Sequence, residues 1–185
     1  MFGRPRQLET EEELYDVAVR ALMRRAHSVH EMKKKLERRS DNKLLVQLVM
    51  ARLKENGLID DARYAKQFAR QRTETRKQGK FRVARDLRAR GVPDRHIEPA
   101  LEEAAQETDE AAIVRQRIER KLRAFRGPDT NKDKSKKIDD KKLASIYRSL
   151  LRSGFSADLI RRELRSLTRS QNLPEIETSS DTEPS

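Results

Sequence analysis

The sequence predicts an all-α protein: three tandem three-helix repeats forming an elongated, curved molecule. Three observations point there. Apolar residues recur at helical spacing in short runs that are opened by a capping side chain and closed by glycine. Only 35% of the 185 residues are hydrophobic while 40% are charged, a balance that suits thin apolar seams between stacked helical units better than one large core. Leu87, Gly91, Ile97 and Leu101 recur 63 residues later as Leu150, Gly154, Ile160 and Leu164. A shift of 51 lays Leu36, Val46 and Met50 under Leu87, Ile97 and Leu101, with Ser40 where the glycines stand.

Residues 1–10 are expected to be a flexible lead-in. In the first repeat, 11–60, Leu14, Val17, Ala18, Ala21 and Leu22 mark a helix from Glu11 to Arg25. Ser28 and Glu31 have the spacing of a capping box for a second helix, Val29 to Arg39, with Met32 and Leu36 inward. Asp41 or Asn42 caps a third, carrying Leu44, Leu45, Leu48, Val49 and Leu53 and ending at Asn56. Gly57 then supplies the left-handed turn that closes it. Leu58 and Ile59 are expected to plug the seam between repeats.

The second repeat, 61–108, opens where Asp60 or Asp61 caps a helix reaching about Arg76, with Ala62, Ala65, Phe68 and Ala69 along its stripe. A helix from Lys80 to Arg90 buries Val83 and Leu87. Gly91 ends it, and Val92-Pro93-Asp94 starts the next, with Ile97 and Leu101 inward. The third repeat, 109–169, carries Ala112, Ile113, Ile118 and Leu122, then a basic loop insertion at 128–142. A helix follows through Leu143, Ile146, Tyr147, Leu150 and Leu151, and then a last one capped by Ser156. Residues 170–185 are expected to be a disordered acidic tail, since no basic residue occurs from Gln171 to Ser185.

Composition narrows the function. A net charge of +12 implies a polyanionic partner. Cysteine is absent, which excludes disulfides and thiolate chemistry. The longest apolar run is Leu48 to Ala51, and the N-terminus has no secretory apolar region. The expectation is a soluble, cytoplasmic protein with no membrane partner. Catalytic signals are weak. His27, His30 and Glu31 straddle a helix start without a third ligand at metal spacing, which points to surface or capping roles. Asp60-Asp61 and Asp139-Asp140 each precede a helix, where capping accounts for them. With no phosphate loop and no nucleophile with a base at a useful spacing, the expectation is no enzyme, no cofactor and no metal.

Charge placement carries more information. From Arg63 to Arg95 there are twelve Lys/Arg against Glu74, Asp86 and Asp94. Solvated faces normally mix signs, and this one does not. Spacing puts Arg63, Lys66, Arg70 and Lys77 on the side of their helix away from Phe68, and Arg82, Arg85 and Arg88 opposite Val83 and Leu87. Arg76, Lys80 and Arg90 complete the block. A second block holds Arg115, Arg120 and Arg123, and if the repeats curve, both line one groove. Tyr64, Phe68 and Phe81 read as core packing, so contacts would go to phosphates or acidic side chains without base readout.

The chain resembles the RecX family, small helical regulators of the bacterial RecA recombinase. The most specific piece is Gly57-Leu58-Ile59-Asp60-Asp61-Ala62-Arg63-Tyr64-Ala65, joined by Gly79, Val83, Leu87 and Gly91 and by Ser153-Gly154-Phe155-Ser156 before Ile160. The resemblance implies tandem repeats that lodge in the groove of the RecA filament on single-stranded DNA. It also implies down-regulation of strand exchange, ATPase and coprotease action by a monomer without a catalytic site, with weak contact to double-stranded DNA. The competing reading is a non-specific nucleic-acid-binding helical protein acting without a recombinase.

Overall fold

The computed structural model describes residues 7–126 and 140–170, and among them every regular element is helical. The helices are α1 (Glu11–Arg24), α2 (Val29–Glu37), α3 (Lys43–Glu55), α4 (Asp61–Glu74), α5 (Lys80–Arg88), α6 (Asp94–Gln106), α7 (Glu110–Arg126), α8 (Asp140–Arg152) and α9 (Ala157–Ser170). Their buried side chains form three cores: α1 to α3 around Leu14, Met32 and Leu53, α4 to α6 around Phe68, Leu87 and Ile97, and α7 to α9 around Ile118, Ile146 and Ile160. No helix among the described residues is long and apolar enough to cross a membrane.

Local chemistry sets the ends. The Ser28 hydroxyl accepts from Glu31 N while the Glu31 carboxylate accepts from Ser28 N, the reciprocal box that starts α2. Asn42 caps α3 and Asp60 caps α4. Gly57 takes φ +63, and the Leu58 N–H reaches back to the Leu53 carbonyl at 2.9 Å, so two orphan ends of α3 are satisfied in one turn. Gly91 and Gly154 repeat that geometry at the ends of α5 and α8.

Several expectations change. Leu8, placed in the lead-in by sequence, is buried in the first core, and its N–H donates to the Arg39 carbonyl at 2.7 Å. Ile59 is buried but Leu58 is 41% exposed, because only Ile59 follows the glycine turn back toward the core. α4 ends at Glu74, and α5 ends at Arg88. Ala112 is exposed and Val114 takes the buried position in α7. Asp140 to Lys142, assigned to the insertion, form the first turn of α8. The rest of the insertion and the acidic tail lie outside the described residues.

Two compact units emerge. Among the described residues one holds 7–76 with 83–106 and the other 77–82 with 107–126 and 140–170. In the first, Ala65 and Ala69 of α4 and Ala100 and Ala104 of α6 are all buried small residues, which let the two helices approach closely. In the second, Gly79 lies under the turn after α8. Its N–H donates to the Ser153 carbonyl, and a Cβ there would sit 2.3 Å from the Gly154 carbonyl oxygen.

Candidate functional site

The first unit carries an open cleft of about 740 Å³ whose wall is one stripe of α4. Tyr64, Gln67, Phe68, Gln71 and Arg72 follow the i, i+3, i+4, i+7, i+8 spacing that places side chains on one helix face. Sequence spacing alone assigns such a stripe to the core. Its polar members instead leave a half-open trough, closed from the other side by Arg25 and Arg90.

Phe68 lies between two cations. The Arg72 guanidinium stands 4.7 Å from the ring centroid and that of Arg90 stands 5.1 Å from it, while Tyr64 stacks on the same ring at 5.9 Å. Each cation over a ring face contributes about 0.5–1 kcal/mol where solvent reaches it. Glu31 anchors the opposite wall. Its Oε1 accepts from Arg90 Nη1 at 2.7 Å and its Oε2 accepts from Arg25 Nη1 at 3.1 Å, so the residue that caps α2 also positions two arginines. Burial pushes the Glu31 carboxyl up, but the bonds from Arg25 and Ser28 and the charges of Arg25 and Arg90 outweigh it and hold the group below its usual range.

Among the described residues no carboxylate pairs with Arg72 in this way. Burial, followed by the neighbouring Arg76, makes its charge less favourable, and Asp86 offsets only part of this. The Nε atoms of Arg72 and Arg90 are buried without hydrogen-bond partners. An anion entering the trough would relieve that field and meet cations already held in place. The Gln67 and Gln71 amides add both donors and acceptors on the same wall.

The nominated residues divide once their partners are known. On α4, Arg63, Lys66 and Arg70 share the exposed face as expected. Arg63, however, donates to the Gly57 carbonyl, Lys66 pairs with Glu103 at 2.7 Å, and Arg70 pairs with Glu74 at 2.9 Å. Arg88 pairs with Asp94, and Arg90 faces the trough. Arg85 is exposed and has no ion pair among the described residues, and Arg76 is exposed. Lys77 does not extend the α4 face: it follows the end of that helix, with φ +51, and belongs to the second unit. Arg82, also in that unit, is half-buried against the Gly154 turn and does not stand on an open face.

Lys80 is exposed and lies over the Phe81 ring, which is 57% exposed and not core. Arg115 is tied to the buried Glu163 at 3.0 Å, Arg123 lies 3.9 Å from Glu119, and Arg120 is exposed without a partner among the described residues. His27 proves buried, contrary to the surface or capping role expected of it. No three His, Asp or Glu side chains among the described residues converge as a metal would need.

Arg25 and Arg72 escaped sequence reasoning. The signal that could have found Arg72 is its place with two glutamines on an aromatic helix stripe; nothing local marks Arg25, which reaches the cleft from the end of α1.

The fold and the cleft together define an all-α helical-repeat protein with a preorganised cationic trough. Residues 60–101 match the model of the second three-helix domain of RecX. The chain is 37% identical over 150 residues to the regulatory protein RecX of Halorhodospira halophila, spanning 81% of this chain and 85% of that one. It is 32% identical over 146 residues to that of Treponema pallidum, spanning 79% and 80%. The crystal structure of RecX from Lactobacillus salivarius superposes with a TM-score of 0.70 at 22% identity, covering 86% of this chain and 97% of that one. The chain belongs to the RecX family, whose members here carry the name of regulatory proteins.

Proposed function

We propose that this protein regulates the RecA recombinase by binding its filament on single-stranded DNA, and that it mainly inhibits strand exchange, ATP hydrolysis and coprotease action. It acts as a cytoplasmic monomer whose three repeats, 11–60, 61–108 and 109–169, serve as successive binding units without catalysis of their own. The observation that carries the contact with the filament is the trough of the first unit, where Arg25, Arg72 and Arg90 converge around Phe68. Such a site accepts a phosphate or a carboxylate at its cations, which the buried Phe68 ring holds in place. Family membership supports the choice of partner.

Arg85 and Arg120, exposed and without ion pairs among the described residues, supply further cations to the phosphate backbone. The paired Lys66, Arg70, Arg88 and Arg123 join them when an incoming anion competes with their exposed carboxylates, since such surface pairs hold only about 0–1 kcal/mol.

The test is ATP hydrolysis by the host's recombinase on single-stranded DNA, titrated with this protein from far below to equimolar, with bare-DNA binding in parallel. Inhibition well below one-to-one is expected. Tight binding to bare DNA with no inhibition would replace this reading with that of a nucleic-acid-binding protein acting alone. The exposed Arg85 and Arg120, without ion pairs among the described residues, are the features that favour that alternative.

A further inference from the structure

A second open cleft, of about 530 Å³, lies within the same unit on the first repeat. Arg20 and Arg24 come from α1, Lys35 from α2, Arg39 from just beyond α2, and Arg25 and His27 from the link between the helices. Its floor is Val17 and Ala21, with no aromatic ring. Carboxylates are few: Asp16 stands 3.6 Å from Arg20, with both side chains well exposed, and Glu31 holds Arg25. Arg24, Lys35 and Arg39 have no ion pair among the described residues, and the Arg39 Nε is buried without a hydrogen-bond partner.

We infer that this cleft is a base-blind site for the sugar–phosphate backbone of a nucleic acid strand, and that His27 takes up a proton when the backbone binds. The lining favours a strand over a small ligand, because five Lys and Arg side chains surround an open cleft that has no stacking surface. The hydrogen bond fixes the imidazole tautomer. His27 Nδ1 lies 2.9 Å from the Arg25 carbonyl oxygen, which can only accept, so Nδ1 carries the proton and Nε2 is the atom that titrates.

Burial holds His27 below the ordinary imidazole range. The bond to the Arg25 carbonyl and the Glu31 charge oppose this, and the charges of Arg25 and Lys35 add to it. Arg20, Arg24 and Arg39 complete the groups around the cleft. A bound phosphate reverses the field on Nε2 and raises its affinity for a proton. Backbone binding therefore tightens as pH falls, tenfold for each pH unit by which the bound form titrates above the free one. This inference rests on the filament reading only in taking DNA as the polyanion, and its assay contains no recombinase, so the two fail separately.

The experiment is fluorescence anisotropy of a labelled abasic oligonucleotide at pH 7.5 and pH 5.5. Wild type is expected to bind at least about threefold more tightly at pH 5.5. His27→Asn, which keeps a donor for the Arg25 carbonyl, should lose that dependence although His30 and His96 remain. Lys35→Gln with Arg39→Gln should weaken abasic binding about tenfold and flatten the log–log salt slope by about 1.4. The His27 ring resonances of the wild-type protein, titrated with and without abasic DNA, give the same answer without any substitution. An unmoved His27 titration, a pH response retained in His27→Asn, or abasic binding unaffected by the Lys35/Arg39 pair would overturn the proposal. Displacement by inorganic triphosphate as effective as by the abasic strand would reassign the site to a free polyphosphate.

Discussion

The two clefts of the first unit share Arg25 and a surplus of positive charge, yet they differ in what lies between their cations. In one, Phe68 is held between Arg72 and Arg90 and flanked by Tyr64 and two glutamines. In the other, Val17 and Ala21 form the floor and a buried histidine stands beside the cations. Charge density alone would call both of them phosphate sites. Only the trough seats its cations on an aromatic ring, and only the second cleft sets a buried imidazole beside them.

Removing Glu31 should merge the two behaviours by destroying both. Glu31→Ala strips the α2 capping box and the anchor of Arg25 and Arg90, and we expect a loss of about 2–4 kcal/mol in urea unfolding, with weaker binding to every DNA probe. Unfolding within about 0.5 kcal/mol of wild type would show that the arginines hold their places without it.

Phe68→Leu separates the clefts instead. It keeps most of the apolar volume but removes two cation–ring contacts and the Tyr64 stack, so stability should fall by about 2–3 kcal/mol. Affinity for oligo-dT should fall by about 1 kcal/mol as Arg72 and Arg90 lose the ring that seats them, while abasic binding is unchanged. Equal losses on both probes would mean that the ring only packs.

Acid sharpens the comparison through stability. His27 and Glu31 both titrate below their ordinary values when folded. The His27 contribution is complete above about pH 6.5 and is lost as pH falls from there through its folded value. The Glu31 contribution is complete above about pH 4.5 and is lost as pH falls through its own lower folded value. A melting temperature that declines in two stages below pH 6.5 is expected, with the first stage absent in His27→Asn.

The smallest effect on stability belongs to the exposed face of α4 and α5. Charge reversal at Lys66, Arg70 and Arg85 together should leave helicity unchanged, each costing no more than about 0.5 kcal/mol, while partner binding is lost. Loss of helicity on circular dichroism would mark that face as structural.

What could be read from the chain was local. Ser28 and Glu31 are three residues apart, Asp60 caps the helix that begins at the next residue, and Gly57 turns the chain within one helical turn of Leu53. Each depends on neighbours close in sequence, so spacing suffices to find it. The sites depended on distant partners. Asp61, one of the two capping candidates at its own helix, accepts a bond from Val29 N at 2.9 Å and ties α4 to the start of α2. Arg90 reaches Glu31 across 59 positions, and its carbonyl accepts from the Ser28 hydroxyl at 2.6 Å. In the basic block that looked uniformly available, Lys66, Arg70, Arg88 and Arg90 are held in ion pairs and Arg63 on a helix-end carbonyl.

The sequence by itself determined the all-α class, the caps and glycine turns, and the excess of cations, because helix period, capping and charge are properties of short stretches. Tertiary structure decided which cations are free, which aromatic is flanked by arginines and which histidine is buried. Those outcomes depend on the packing of one helix against another, which no local spacing encodes.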